Sequence, residues 1–569
     1  MGRERVIVFA VALLAYLPGF WWGSPHATAT DRSNAWSVDD EPPLGPLAQL
    51  HDILNPKPTQ NPNLGYPMLH PFLVIASYTP YVGFLYATGG LDRPTEAYPH
   101  GFRDPVTALR TLTWIAHLLS VLLGAGVVLA AYETARVLWD ARSARFAAFF
   151  ALMSYPMFYY ARTSNVDVPV LFFTAIALVP FARALMLGVT MRRALWLGAL
   201  IGLALATKEP SFASFMGVPF ALLLMPAPDG TPPQWRAWAF WKPAIGCLVA
   251  AVAGYAVASG MIIDPDRWMA HIAFIRERSG DATKGAVAFM PHYPRTAEGH
   301  VALAARLWRY LADAMTLPGL VLALAGIGLA ARARPRSAVF AVTAVTYLVV
   351  LFWSARAAQL RYVMPAAYTL ALFAGYAAAR AFAARQILWR SGGAGLVVAS
   401  GLIATAWAID LTHAMLNDSR YAAGDWLART GRPGDRLEYF GSDQKEVPME
   451  AWLTSSRAIR YLGGNVAPPI GAEAVAEIRA GWALRRPRFI SLIPDYTSRP
   501  GEPNAASGPP AIFAALEDGS LGYALARTFR TPSLLPWAKR PALDYPTVNP
   551  PIRIYVPVGD AAAREPRGE

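Results

Sequence analysis

Three consecutive carboxylates stand at Asp39, Asp40 and Glu41, inside Ser37-Val38-Asp39-Asp40-Glu41-Pro42-Pro43. Like charges this close repel, and the repulsion raises the pKa of at least one of them. A carboxylate tuned upward is a better general base near neutral pH. The same run also fits a solvated turn, because turns favour Asp and Pro. A second acid, Asp167, follows Arg162-Thr163-Ser164-Asn165-Val166 and precedes Val168-Pro169. At the start of a helix it could equally serve as a cap. Four cations flank apolar runs: Lys208, Arg361, Arg162 and Arg356. Basic side chains at the outer edge of a membrane need a local reason, and a lipid phosphate supplies one. Snorkelling toward headgroups is the plainer alternative.

The histidines carry less. His51, His70, His100, His271, His292 and His300 all fall in segments read as outer, and none pairs with another at a spacing that puts two on one helical face. His70, beside Tyr66 in Gly65-Tyr66-Pro67-Met68-Leu69-His70-Pro71, is placed to contact a substrate or to pack at an interface. Cys247 is the one cysteine, so neither an internal disulfide nor a cysteine metal cluster can form. No metal ligand set is assigned. Gly280-Asp281-Ala282-Thr283-Lys284-Gly285 lacks the spacing of a phosphate-binding P-loop. It lies with Arg276-Glu277-Arg278 in a segment, about 264–306, expected to cover the site when substrate binds.

These residues have to be positioned by membrane helices. Of 569 residues, 54% are apolar and 16% charged, against about 25% charged in an average soluble domain. That excludes a disordered or fibrous chain and an ordinary cytosolic enzyme. Apolar runs lie at about 6–23, 109–133, 144–160, 168–188, 194–207, 211–226, 243–263, 307–330, 338–354, 362–380 and 393–410. They predict about 11 spans. The first, ending in Trp21-Trp22, is read as an uncleaved span, although Ala27-Thr28-Ala29 resembles a signal cleavage site. Residues 67–88 contain Pro71 and Pro80 and are read as an interfacial helix in a first outer loop, about 24–108.

The net charge of +13 follows the same layout. The segments between spans that would be cytoplasmic hold sixteen Lys and Arg, from Arg3 to Arg390, against Glu4, Glu133, Asp140 and Asp229. Cationic loops stay inside, which puts the N-terminus in the cytoplasm. No basic stripe with interleaved aromatics suits nucleic acid. From about 411 proline, glycine and charge rise. Strand-like runs at 436–440, 488–493 and 552–556 alternate with helical patterns at 419–429, 472–482 and 510–517. The expected architecture is a polytopic α-helical membrane domain, 1–410, and a soluble extracytoplasmic α/β domain, 411–569.

An ordered series of motifs carries a family resemblance. Asp40-Glu41 is followed by Leu54-Asn55-Pro56, by the Tyr66–His70 stretch, and by Arg162 through Pro169. Ala204-Leu205-Ala206-Thr207-Lys208-Glu209 and Leu360-Arg361-Tyr362-Val363-Met364-Pro365 complete it. The series, over about residues 1–410, resembles the GT-C membrane glycosyltransferases, in the superfamily of protein O-mannosyltransferases and the lipid A aminoarabinose transferase, bacterial branch. Ser419-Arg420-Tyr421, Trp426-Leu427 and Asn549-Pro550-Pro551-Ile552 look like that branch's soluble domain.

The resemblance implies a polyprenyl-phosphate sugar donor, an active site under the first outer loop, inversion at the anomeric carbon and a multi-pass protein of the inner membrane. It implies a catalytic base at the Asp-Glu pair, hence Asp40 and Glu41; Asp39 and Pro42-Pro43 depart from the pattern. It maps a functional span-end acid onto Asp167. Some relatives bind a divalent metal and others need none. A phosphate leaving group carries its own charge, so a base and the cations Lys208, Arg361, Arg162 and Arg356 would suffice. The acceptor is a lipid, glycan or protein hydroxyl, and the sugar a mannose-like hexose or a pentose. Three other readings compete, one of them a membrane anchor for the 411–569 domain, for which one span would suffice. A glycan polymerase or ligase would use a lipid-diphosphate donor. A transporter would place ionisable groups mid-span and often repeat its halves.

Overall fold

The computed structural model describes residues 2–37, 40–55, 65–225, 229–280, 293–356, 358–440, 447–457, 472–493, 510–543 and 548–560. The chain is a polytopic helical membrane protein with an α/β unit at its C-terminal end. The helices run α1 (Arg3–Tyr16), α2 (Gly45–Leu54), α3 (Leu69–Ala87), α4 (Pro105–Leu138), α5 (Ala141–Leu152), α6 (Met157–Tyr160), α7 (Asp167–Leu187), α8 (Met191–Thr207), α9 (Val218–Leu223), α10 (Trp238–Ala258) and α11 (Pro265–Gly280). They continue as α12 (Ala297–Met315), α13 (Leu317–Ala333), α14 (Pro335–Ala338), α15 (Val342–Val350), α16 (Met364–Ala383), α17 (Ile387–Leu416), α18 (Ser419–Thr430), α19 (Ala472–Arg485) and α20 (Pro510–Glu517).

Local chemistry sets the ends. α4 begins on Asp104, whose carboxylate accepts from the Thr107 amide, with Pro105 in the first turn. Its 34 residues reach roughly 50 Å, more than the hydrocarbon core of a bilayer. α8 packs on α10 through small residues. A Cβ on Gly198 would lie 2.0 Å from the Cys247 carbonyl oxygen, and one on Gly202 would lie 2.4 Å from that of Ala251. Only glycine permits this approach, which matters because α8 ends at Lys208.

Among the described residues six helices are long and apolar enough to cross a membrane, and a seventh crossing forms if the bent pair α12–α13 is one span. The runs near 6–23, 144–160, 194–207 and 211–226 fold as shorter helices: α1, α5, α8 and α9. Length and composition therefore support a multi-pass protein without deciding the count of eleven. The run at 307–330, expected as one span, is broken by a bend of 102° between α12 and α13. Pro318 cannot continue a helix, and Thr316, at φ 64°, caps α13 by accepting from the Gly319 amide. The 67–88 run forms α3 and is not one of the six.

The C-terminal sheet comprises β1 (Arg436–Tyr439), β2 (Thr454–Arg457), β3 (Phe489–Leu492), β4 (Tyr523–Phe529) and β5 (Ile552–Pro557), in the order β2-β1-β3-β5-β4. β1 pairs in parallel with β2 and β3, while β5 pairs antiparallel with β3 and β4. Alternation along each strand feeds two cores. Phe489 and Ile554 pack with Trp426 and Leu427 of α18, whereas Ile490 and Tyr555 pack with Trp482 of α19 and Leu516 of α20.

The segment after α1 is clamped to this sheet. Arg32 donates to the carbonyls of Glu450 (2.9 Å) and Leu453 (2.5 Å) and to Ser455 Oγ (2.8 Å), and Thr28 donates to the Met449 carbonyl (2.6 Å). Arg420 is fully buried, bonded to Asp418 and stacked 3.9 Å from the Trp36 ring centroid.

Candidate active site

One short turn gathers the acids. Residues 161–166 connect α6 to α7. The Ser164 amide and hydroxyl (2.9 Å) both donate to Asp40 Oδ1, and the Glu41 amide donates to Ser164 Oγ at 3.0 Å. Next to it, Asn165 Oδ1 accepts from the Asp167 amide at 2.8 Å and starts α7. The turn thus ties the first-loop carboxylates to Asp167.

Around Asp167 the charges are dense. Lys208 Nζ lies 2.6 Å from its Oδ1, and Arg361 Nε lies 3.7 Å from its Oδ2. Arg361 Nε also donates to Gln359 Oε1 at 2.9 Å. Lys208 stands over the rings of Tyr66, at 5.1 Å, and Tyr362, at 5.5 Å. All three charged groups are more than nine-tenths buried, and Asp167 Oδ2 has no hydrogen-bond partner. Lys208 pulls the Tyr66 phenol down, but burial and Asp167 outweigh it and the phenol stays above its ordinary range. His70 is buried; burial pushes its imidazole down to about 4, against the opposing pull of both Asp40 and Asp167. It is neutral at physiological pH and lies within the field of both acids.

The two first-loop acids differ. Asp40 is 6% exposed and held by Ser164 and by His117, whose Nε2 is 3.0 Å from Oδ2. Glu41 packs against Gly45 at the start of α2 and accepts from Gln49 at 3.5 Å. Burial, and then the charge of Asp40, push the Glu41 carboxyl up to about 7, with Arg267 pulling the other way. Asp39 lies outside the described residues, as do residues 281–285 of the expected covering segment.

Two expected phosphate ligands are committed elsewhere. Arg162 donates to the carbonyls of Tyr16 (3.1 Å) and Ala15 (3.2 Å) and to Thr412 Oγ1 (2.8 Å), closing the C-terminal end of α1. Arg356 donates to the carbonyls of Tyr293 (2.7 Å) and Pro294 (2.5 Å). A buried guanidinium must satisfy its fork of donors, and backbone carbonyls do so for both. Four partners went unread in the sequence: His117, Ser164, Gln359 and the contact of His271 with Glu209. His117 carried a signal, as an ionisable residue inside an apolar run.

Among the described residues no three His, Cys, Asp or Glu side chains converge on a point suited to a metal ion. The donor set at Asp167 is one carboxylate facing two cations, which favours an anion over a divalent metal.

Residues 106–257, about a quarter of the chain, match a family model described as dolichyl-phosphate-mannose-protein mannosyltransferase. The chain is thus similar, over that stretch, to the class of membrane glycosyltransferases that its motifs resemble. No curated protein matches it. Among solved structures it is similar to ArnT from Cupriavidus metallidurans bound to undecaprenyl phosphate, with 13% identity, 99% of each chain covered and a TM-score of 0.46. It is also similar to the arabinofuranosyltransferase AftD from Mycobacteria, with 15% identity, 98% of this chain and 40% of that one covered, and a TM-score of 0.45. An oligosaccharyltransferase from Archaeoglobus fulgidus, tethered to an acceptor peptide, gives 13% identity, 86% and 69% coverage and a TM-score of 0.39.

Proposed function

We propose that the protein is an inverting glycosyltransferase that moves a sugar from a polyprenyl-phosphate donor to a hydroxyl of a lipid, glycan or protein. The observation that carries this reading is the buried trio of Asp167, Lys208 and Arg361, in which two cations face one acid. The trio is net positive in a poorly solvated place, so a phosphate there gains more than it would in water. Ser164 and Asn165 set the carboxylate pair beside it, which brings a base and a leaving-group site to the same turn.

The step balances with these residues alone. The acceptor oxygen attacks the anomeric carbon from the face opposite the phosphate, and a new glycosidic bond forms. The carbon–oxygen bond to phosphate breaks, and polyprenyl phosphate leaves with the electron pair, held by Lys208 and Arg361. The acceptor's proton goes to the carboxylate pair. Within the pair Glu41 is the better tuned acceptor near neutral pH, and Asp40 is the fixed charge that raises it. Tyr66 and His70 line the donor side. Residues 1–410 form the transferase part, 411–569 an α/β unit for acceptor selection. The site faces the outside of the inner membrane, and the sugar is mannose-like or a pentose.

The test is transfer by the purified protein in lipid nanodiscs, with short-chain polyprenyl-phosphate sugars as donors. Lys208→Ala and Arg361→Ala each remove a charge-assisted bond of about 1.5–3 kcal/mol, so the donor KM should rise roughly 10- to 100-fold. Normal donor saturation in both variants would sink the assignment. Saturation only by a lipid diphosphate would replace the donor class. Accumulation of one polyprenyl-phosphate sugar in a deletion strain would name the sugar.

A further inference from the structure

The Asp40 carboxylate has a partner from within the membrane helices that the transfer chemistry does not use. His117 sits on α4, fully buried. Its Nδ1 lies 2.6 Å from the Phe20 carbonyl oxygen, just after α1, and its Nε2 lies 3.0 Å from Asp40 Oδ2. A carbonyl can only accept, so Nδ1 carries a hydrogen. Nε2 faces a carboxylate, and two lone pairs cannot approach to 3.0 Å without a proton between them. One proton therefore lies on the line between the ring and Asp40. The opposite carboxylate oxygen, Oδ1, is filled by the amide and hydroxyl of Ser164.

We infer that His117 is a positioning residue for the carboxylate pair: pinned between the Phe20 carbonyl and Asp40, it fixes the Asp40 carboxylate against the Ser164 turn. Three elements then define one rotamer: the end of α1, the middle of α4 and the turn before α7. An ionisable side chain inside a membrane helix needs a polar partner, and neither a packing role nor a cap places both ring nitrogens on oxygen. The inference rests on the glycosyltransferase reading, because it assigns His117 to that reaction's base centre. Loss of the ring would leave Asp40 held through Oδ1 alone, able to rotate about that contact, and a small misplacement of a catalytic group costs roughly 100-fold.

The experiment compares His117→Ala and His117→Gln in nanodiscs, reading kcat, donor KM and Tm. Gln keeps an N–H near the position of Nε2 but has no titrating proton. His117→Ala should lower kcat roughly 100-fold with donor KM unchanged, since the donor cations are elsewhere, and His117→Gln should restore most of it. A second readout needs no turnover. With 15N-histidine labelling, the ring signals lost in His117→Gln belong to this residue, and Asp40→Asn should shift its Nε2 signal while sparing Nδ1. Unchanged kcat in a folded His117→Ala protein would overturn the inference. So would a fall in kcat that follows Tm and is not restored by Gln, or a Nε2 signal indifferent to Asp40→Asn. If the wild-type protein transfers no sugar from any polyprenyl phosphate, the functional reading falls, while the nitrogen signals still decide whether the ring and Asp40 share a proton.

Discussion

Asp40 and Glu41 are neighbours in sequence and opposites in environment. Asp40 is filled by Ser164 and His117, whereas Glu41 is raised to about 7 by burial and by the charge beside it. A base acts only when ionised, so kcat at saturating donor should climb as pH rises through about 7. Asp40→Asn removes the repulsion and should move that climb to lower pH; a climb left in place would detach Glu41 from Asp40. Glu41→Gln should lose about 10²–10⁴-fold of kcat above about pH 7, where the wild-type base is ionised, and a fully active variant would return the base to Asp40 or Asp39. Stability has the matching sign. The folded carboxyl titrates above the ordinary glutamate range, so the unfolded chain ionises first and the fold weakens as pH rises through about 7. Glu41→Gln escapes that loss, and its Tm at pH 8 should equal or exceed that of the wild type. A raised carboxylate in the acid run and the cations Lys208 and Arg361 were expected from residue types and spacing, and Asp167 from the family resemblance; the fold brings Asp167, Lys208 and Arg361 together. That Glu41 is the one raised could not be expected, because it depends on how the fold buries that carboxyl and on Arg267, more than 200 residues away. Arg162 and Arg356 looked like phosphate ligands because sequence carries no record of which carbonyls a folded chain leaves open.

Each element that holds the site is itself held at a small number of contacts, and α8 shows how. Its C-cap is Lys208, and its side against α10 is Gly198 and Gly202, which meet backbone carbonyls with no room for a Cβ. Gly198→Ala must push the two helices apart. Overpacking of this kind costs about 1–3 kcal/mol, and the shift would carry Lys208 away from Asp167. The expected result is a lower Tm together with a raised donor KM, without the loss of kcat seen for a missing base. A variant with wild-type Tm and normal donor saturation would mean that the α8–α10 seam yields and that Lys208 is positioned by Asp167 alone. At this scale the long apolar helices and the strand-like runs at 436–440, 488–493 and 552–556 were legible from periodicity. The α12–α13 bend was not, because residues 307–330 read as one mostly apolar stretch and only the local geometry at Thr316, before Pro318, turns the chain. β2 was missed because Thr454–Arg457 is polar throughout, and β4 because Tyr523–Phe529 mixes polar and apolar types without a clean alternation.

The whole molecule has two ends, and side-chain contacts say which segments share each. Arg5 pairs with Glu133 at 2.7 Å and Arg145 with Glu4 at 2.5 Å, so the N-terminus, the end of α4 and the start of α5 lie together. At the other end Asp40 joins Ser164, Tyr66 stands by Lys208, and Arg32 and Thr28 grip residues 449–455 of the sheet. The first loop, the site and the C-terminal unit therefore lie together at one end, and the N-terminus lies with residues 133–145 at the other. The proposed direction comes from sequence: the excess of Lys and Arg near the N-terminus and between spans predicts that these loops stay in the cytoplasm. It does not fix the crossing number: six long helices would return the chain to its starting side, whereas seven, with α12–α13 counted as one, or eleven would not. Reporter tags decide between these. Tags after residues 140 and 334 should be cytoplasmic, and tags at 60 and 450 should be outside, the face on which the proposed transfer takes place. Tags at 60 and 450 on opposite sides would break the clamp made by Arg32. Both in the cytoplasm, with 140 outside, would invert the protein and put the proposed transfer on the wrong face of the membrane.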